Sequence, residues 1–269
     1  MKIAFLGGGN MANALVGGLR AKGAAAADIS VIELSPAARE RIATHGVRVS
    51  TAPDAATGGA EVVVLAVKPQ DMKRALASVA GFSKEKLVVS IAAGIRLESL
   101  SDWLGGHRRI VRCMPNTPAL VGAGITGLYA PEQVGAEDRR RAEEILRAVG
   151  EVVWVADERL LDPVTALSAS GPAYVFWFIE QLAAFGEKAG IAREDAHKLA
   201  LHTVLGAAQL AAGSGEPPAV LRKNVTSKGG TTEAALNVFE EERLAERFRK
   251  ALEAASRRGA EMGDELGKD

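Results

Sequence analysis

Cysteine is nearly missing from this chain of 269 residues: Cys113 stands alone, so no internal disulfide framework can form and a reducing compartment is expected. An excess of one charge is missing too. Lys plus Arg and Asp plus Glu both number 33, which argues against a nucleic-acid binder working through a general electrostatic field. No uninterrupted apolar run is long enough to span a bilayer. The N-terminus enters an apolar strand pattern directly, without the basic segment and apolar stretch of a secretion signal. A cytoplasmic protein acting on neither membrane nor nucleic acid is expected. Aromatic residues make up only 4% while alanine is abundant, so helices should pack closely through small side chains. The histidines are scattered, and His197 and His202 are five apart rather than the four of a helical metal pair, so no metal site is expected.

What is present begins at once. Residues 2–12 read KIAFLGGGNMA: an apolar run, a glycine turn and the opening of a helix whose apolar positions recur at Met11, Leu15 and Leu19. Ile3–Leu6 suits a strand buried on both faces. Gly7 permits a tight turn, Gly9 lets the main chain approach a pyrophosphate, and Ala12 lets the helix pack on the strand. The helix N-terminus then offers unpaired N–H groups and a positive dipole end to phosphates. The spacing identifies a dinucleotide site. Glu33, about 20 residues on, stands where an acid accepts hydrogen bonds from the adenosine ribose and repels a 2′-phosphate, which leans to NAD(H). In the other reading Glu33 caps main-chain groups or faces solvent, and NADP(H) is bound through Ser35 and Arg39, with Arg41 also within reach.

Strand-like runs at Ile3–Leu6, Ile29–Ile32, Val47–Val49, Val62–Val67, Leu87–Ile91 and Ile110–Met114 alternate with helical patterns such as 37–44 and 71–79. This alternation predicts an α/β domain: a parallel, doubly wound sheet covered on both faces. Further strands are read at 121–128 and 152–155, around a helix at 136–148. After residue 157 strand signals stop. Helices are predicted at 158–167, 171–189, 194–213, 231–239 and 241–264. The chain therefore divides into 1–157, a Rossmann domain, and 158–269, an all-helical domain. Residues 174–179, YVFWFI, are apolar all round, which predicts burial. The small helical domain has limited means of burying so much alone, so a subunit interface is inferred.

Chemistry-bearing segments fall at strand ends, where ligands bind on open α/β sheets. Ala66-Val67-Lys68-Pro69-Gln70 should border the nicotinamide half of a coenzyme. Ser90-Ile91-Ala92-Ala93-Gly94-Ile95 offers small residues to a flat ring. Arg112-Cys113-Met114-Pro115-Asn116-Thr117-Pro118 is a turn stiffened by two prolines. Cys113 itself reads as a small hydrophobe. In the helical half, Asn224–Glu233 (NVTSKGGTTE) places paired glycines and hydroxyls at a helix start, a nest of N–H donors suited to a carboxylate.

Taken together, GGGNMA, LAVKPQ, SIAAGI, RCMPNTPA, ALSASGPAY and NVTSKGGTTEAAL resemble pyrroline-5-carboxylate reductases, in that family's order and approximate spacing from about residue 2 to 262. The resemblance implies reduction of L-1-pyrroline-5-carboxylate to L-proline, the last step of proline biosynthesis, by direct hydride transfer from NADPH or NADH. It also implies an N-terminal Rossmann domain and a helical C-terminal domain that forms a homodimer, with decamers in some members. Residue by residue, it assigns Gly7, Gly9, Asn10 and Met11 to the pyrophosphate turn, and Ala66, Lys68 and Pro69 to the nicotinamide ribose. Ala92, Ala93, Gly94, Met114, Pro115 and Asn116 are assigned to the nicotinamide. Gly230, Thr231 and Thr232 take the substrate carboxylate, and Thr165 and Ser170 flank the imine pocket. Thr165 and Thr232 are the catalytic candidates. Two departures stand out. Lys228 replaces a common proline, and Leu34 stands where NADP-preferring members often carry arginine. Rival readings are another two-domain reductase of the β-hydroxyacid dehydrogenase kind, which needs a catalytic lysine, and a non-enzymatic dinucleotide sensor.

Overall fold

A computed structural model describes residues 1–78 and 85–267. The chain forms two compact units, Met1–Ser170 with Glu253–Asp269, and Gly171–Leu252.

The first unit is built on one eight-stranded sheet. Its strands are β1 (Ile3–Leu6), β2 (Ile29–Ile32), β3 (Arg48–Ser50), β4 (Val62–Leu65), β5 (Leu87–Ser90), β6 (Ile110–Met114), β7 (Gly124–Tyr129) and β8 (Gly150–Trp154), in the order 3-2-1-4-5-6-7-8. Between them run α1 (Asn10–Ala21), α2 (Pro36–Ala43), α3 (Ala55–Gly58), α4 (Met72–Ser78), α5 (Leu97–Trp103) and α6 (Ala136–Leu146); α7 (Leu161–Val164) follows β8. The predicted helix at 71–79 appears as α4, with Val79 outside the described residues.

β1, β2, β4 and β5 are buried at every position. Such unbroken apolar runs occur where helices cover both faces of a parallel sheet. One apolar cluster gathers Phe5, Leu15, Val31, Val64, Val89, Leu128 and Ile145; another gathers Leu65, Met72, Leu76, Ile95 and Leu100. The sheet is not parallel throughout, however. β6 and β7 pair antiparallel, Arg112 with Tyr129 and Met114 with Gly127, and β8 follows β7 in parallel. Only residues 115–123 join β6 to β7, a stretch holding one 3₁₀ segment at Thr117–Val121. That is too short for a crossover helix, so the chain turns back.

The strand order reverses between β1 and β4, which pair in register from Ile3 with Val62 to Leu6 with Leu65. At this switch point the crevice beyond the carboxyl ends is the expected ligand site.

The second unit holds α8 (Gly171–Lys188), α9 (Arg193–Ser214), α10 (Pro218–Asn224), α11 (Thr231–Glu241) and the first turns of α12 (Leu244–Leu266). α8 and α9 approach through small residues: a Cβ on Gly186 would stand 3.0 Å from the Ala196 Cβ. Tyr174 and Phe178 pack edge-on against Phe248. The expectation that 174–179 would be buried is not met within this chain. Phe176 is 59% exposed and Phe185 73%, and the buried positions of α8 are Ala183 and Gly186. No helix among the described residues is long and apolar enough to cross a membrane.

Candidate active site at the carboxyl edge of the sheet

Each coenzyme-side residue predicted from sequence lies at or just beyond the end of β1, β2, β4, β5 or β6. The tightest point is Gly7. Its φ is +101°, and a Cβ there would stand 2.7 Å from the Ala66 carbonyl oxygen and 2.8 Å from Val67 N. Glycine is therefore required by the close approach of two backbones at the switch point. Gly9 differs. It is the N-cap of α1 with an extended backbone (φ −64°, ψ −175°), and nothing lies within 4 Å of where its Cβ would be. Gly9 and Asn10 are exposed there, at the positive end of the α1 dipole, where a phosphate can approach. Ala12 is fully buried, as the packing reading requires.

Glu33 is half-buried and caps main-chain N–H groups, as the second reading allows. One carboxylate oxygen accepts the Gly8 N–H at 2.6 Å and the other the Ser35 N–H at 2.7 Å. A Cβ on Gly8 would stand 3.1 Å from the Glu33 Cγ, so Gly8 makes room for this acid. Arg41 also reaches the turn, its Nη2 donating to the Gly8 carbonyl at 3.5 Å. Ser35 caps α2, with its Oγ accepting the Ala38 N–H at 3.5 Å. The acid and a guanidinium thus meet on opposite polar atoms of Gly8.

Lys68 is exposed after β4, preceding the 3₁₀ turn Pro69–Asp71. Beyond β5, Ala92 is buried and its N–H donates to Ser90 Oγ at 3.4 Å. Gly94 (φ +76°) is turned toward the end of α12: a Cβ there would stand 3.1 Å from Leu266 Cδ1 and 3.4 Å from Met262 Cβ. Beyond β6, Asn116 is 8% exposed. Its Nδ2 donates to the Ser168 carbonyl at 3.2 Å, and its Oδ1 accepts the Ile125 N–H at 2.9 Å. It thereby ties the turn after β6 to the segment carrying Thr165 and Ser170. Cys113 is buried, and burial pushes its thiol up against the weaker pull of Arg112, in keeping with its reading as a small hydrophobe.

α7 runs into a π-helical turn, Thr165–Ala169, a distortion often found at functional positions. The Thr165 hydroxyl donates back to the Leu161 carbonyl at 2.7 Å, and the Ser170 N–H donates to the Thr165 carbonyl at 2.9 Å. Two ion pairs underneath escaped the sequence reading. Arg112, only 3% exposed, donates to Glu158 Oε1 at 2.9 Å, and the same oxygen accepts the Leu97 N–H at 2.7 Å. Arg96 meets both oxygens of Asp162, at 3.2 and 2.8 Å. Burial pushes the Arg112 guanidinium below its ordinary value while Glu158 opposes that shift.

The helical unit carries the loop expected to hold a carboxylate. Gly230 is the N-cap of α11 and supplies no side-chain cap, which leaves the first-turn amides of Thr231 and Thr232 without intrahelical partners. A Cβ on Gly230 would stand 2.5 Å from Ser227 Oγ. The neighbouring Gly229 N–H is already taken by Glu233 Oε2 at 2.7 Å. A bound anion is therefore directed to Thr231 and Thr232 rather than to Gly229. Lys228 is exposed beside this loop.

A coenzyme turn at a sheet switch point, followed by a mainly helical second half, defines a two-domain oxidoreductase of the Rossmann type. Residues 2–94 match the family model described as NADP oxidoreductase, coenzyme F420-dependent, and residues 158–262 match pyrroline-5-carboxylate reductase dimerisation. The pyrroline-5-carboxylate reductase of Pseudomonas aeruginosa is 48% identical over 268 residues, covering 99% of this chain and 98% of the relative. The solved structure of the Coxiella burnetii enzyme superposes with a TM-score of 0.92 at 42% identity, covering 97% of this chain and 98% of that one. The Plasmodium falciparum reductase, crystallised with NADP bound, superposes at 0.84 with 28% identity and covers 98% of both chains. The chain belongs to the pyrroline-5-carboxylate reductase family.

Proposed function

We infer that this protein reduces L-1-pyrroline-5-carboxylate to L-proline in the cytoplasm, with residues 1–157 binding the dinucleotide and 158–269 supplying substrate binding and dimerisation. The observation that carries the reading is the sheet-edge site just described, in a chain whose relatives share the enzyme's name across nearly their whole length. The rival dehydrogenase and sensor readings lose their ground with that membership.

When bound, the reduced nicotinamide supplies a hydride to the imine carbon. The protein's part is to hold two partners in register, an effect worth up to about 7–11 kcal/mol in favourable cases. The Thr231 and Thr232 amides and hydroxyls at the α11 N-terminus take the substrate carboxylate, with Gly230 keeping that approach open. Thr165 keeps its hydroxyl proton on the Leu161 carbonyl and accepts the N–H of the protonated ring nitrogen through its oxygen, and Ser170 flanks the pocket. The imine is basic enough to arrive protonated, so no strong acid is demanded of the chain. Gly7, Gly9, Asn10 and Met11 hold the pyrophosphate; Ala66, Lys68 and Pro69 border the ribose; Ala92, Ala93, Gly94, Met114 and Asn116 shape the nicotinamide side.

For the coenzyme, Glu33 favours NAD(H), because its carboxylate is fixed by two main-chain N–H groups beside the turn and would repel a 2′-phosphate. Arg41, close by, is the feature that would admit NADP(H). The exposed apolar faces of α8 and α9 form the homodimer contact, from which a decamer can be assembled.

Thr232→Val tests the carboxylate site. The Michaelis constant for pyrroline-5-carboxylate should rise about tenfold or more, the loss of a hydrogen bond to a charged group, while coenzyme affinity is unchanged. Unaltered Michaelis constant and turnover would remove Thr232 from the site. Glu33→Gln should raise kcat/KM with NADPH relative to NADH; an unchanged ratio would end the reading of Glu33 as the selector.

A further inference from the structure

The loop that lines the nicotinamide and the turn that carries Thr165 are separated by about 70 residues of chain, yet one ion pair joins them. Arg96 lies two residues after Gly94, and Asp162 three residues before Thr165. Arg96 Nη1 and Nη2 meet Asp162 Oδ1 and Oδ2 at 3.2 and 2.8 Å, a planar fork that fixes direction as well as distance. The side chains are 20% and 9% exposed, so water screens the pair little.

The C-terminal end of α12 lies over this pair with its glycines. Gly259 faces Asp162, a Cβ there standing 3.7 Å from the Asp162 Cβ. A Cβ on Gly263 would stand 2.7 Å from Arg96 Nε and 3.0 Å from its Cζ. On the same stretch of helix, Met262 and Leu266 close on Gly94. The next pair, Arg112 with Glu158, binds the Leu97 N–H and so holds the start of α5.

Buried ion pairs contribute little net stability relative to a well-packed apolar replacement; what they can add is a single geometry. We propose that Arg96 and Asp162, roofed by Gly263, are positioning residues that set the separation between the nicotinamide loop (Ala92–Gly94) and Thr165. This deepens the reductase reading and rests on it.

Two variants test the strut. Gly263→Ala keeps both charges and favours helix, yet its methyl displaces the Arg96 fork. Arg96→Met combined with Asp162→Leu removes the pair without leaving an unpaired charge. Both should remain folded, with melting temperatures within a few degrees of the parent, and should bind reduced coenzyme with dissociation constants within about threefold. Turnover should fall about tenfold or more, and the primary deuterium isotope effect from 4-deuterated coenzyme should rise as hydride transfer becomes slower. The emission of bound reduced coenzyme should shift in both variants as the ring's surroundings loosen, a readout that needs no substrate. Unchanged turnover and emission in folded variants would overturn the strut. Failure of the parent protein to reduce pyrroline-5-carboxylate would instead overturn the reductase reading, leaving the emission shift to judge the geometry.

Discussion

The sheet unit and the helical unit solve the burial problem differently. In the first, β1, β2, β4 and β5 are buried along their full lengths and large side chains such as Phe5, Leu15 and Ile95 are fully enclosed. In the second, the buried positions of α8 and α9 are Ala183, Gly186, Ala196 and Ala200, while Phe176, Trp177, Phe185, Leu199 and Leu210 are exposed. Large apolar side chains left exposed in this number mark an interaction surface. One unit carries its own core; the other, which lies within the stretch matching the pyrroline-5-carboxylate reductase dimerisation model, leaves large apolar side chains on its surface.

The largest test strikes the second unit. Phe176→Asp with Phe185→Asp should weaken association by at least about 3 kcal/mol, since each buried Phe is worth about 1.5–3 kcal/mol. Sedimentation equilibrium should show monomer at concentrations where the parent protein is dimeric. A dimer unaffected by both charges would place the interface elsewhere and undo the contrast. In the first unit, the equivalent blow is Gly7→Ala. The left-handed backbone costs a non-glycine residue about 1–2 kcal/mol, and contact with the Ala66 carbonyl adds about 1–3 kcal/mol of overpacking. Denaturant titration should therefore show a loss of about 2–5 kcal/mol. Gly9→Ala is the control: it has open space and an ordinary φ, so stability should hold while coenzyme affinity drops. If both alanines destabilise alike, Gly9 is structural and the fit to a pyrophosphate weakens.

How much of this was readable in the sequence follows the range over which each feature is determined. The dinucleotide turn, the strands of the first half and the long helices were legible, because pattern and turn chemistry are local there. α3, α5 and α10 went unread; each is short, between four and seven residues, and carries too few apolar positions to show a period. The reversal of β7 was in principle available, since nine residues with two prolines cannot hold a crossover helix. It was missed because strand periodicity says nothing about direction. The glycine loop at 224–233 was legible as a nest, whereas the capture of the Gly229 N–H by Glu233 was not. The Arg96–Asp162 and Arg112–Glu158 pairs join residues 66 and 46 positions apart. Nothing local announces them; only α12 and β6, once placed, bring these charges out of water together.

A smaller test probes the first unit by pH. Asp54 caps α3, accepting the Ala56 and Thr57 N–H groups at 3.0 Å, and pairs with Arg48 Nε at 2.7 Å. The Thr57 N–H, then the Arg48 hydrogen bond, hold its carboxyl below the ordinary value. A depressed folded pKa gives stability that is present above the unfolded pKa, about 3.9, and is lost as pH falls through the lower folded value. Asp54→Ala should cost about 1 kcal/mol at neutral pH, and part of the difference from the parent should vanish toward pH 3. If the difference is the same at both pH values, the cap is not what Asp54 contributes.

The gentlest probe returns to the helical unit. Arg243 sits between α11 and α12 with φ at +52°, a left-handed conformation unusual for arginine. Its carbonyl accepts the Glu246 and Arg247 N–H groups at 3.1 Å, both of which a glycine would keep. Relief of about 1–2 kcal/mol of backbone strain, set against about 0.5–1 kcal/mol of added chain entropy, predicts that Arg243→Gly stabilises the protein by up to about 1.5 kcal/mol. Thermal unfolding at several protein concentrations reads the result. A gain that is the same at every concentration belongs to the single chain. A loss that grows on dilution would mean that the arginine side chain serves the second copy, and that the strain is retained for a contact this unit makes only in the dimer.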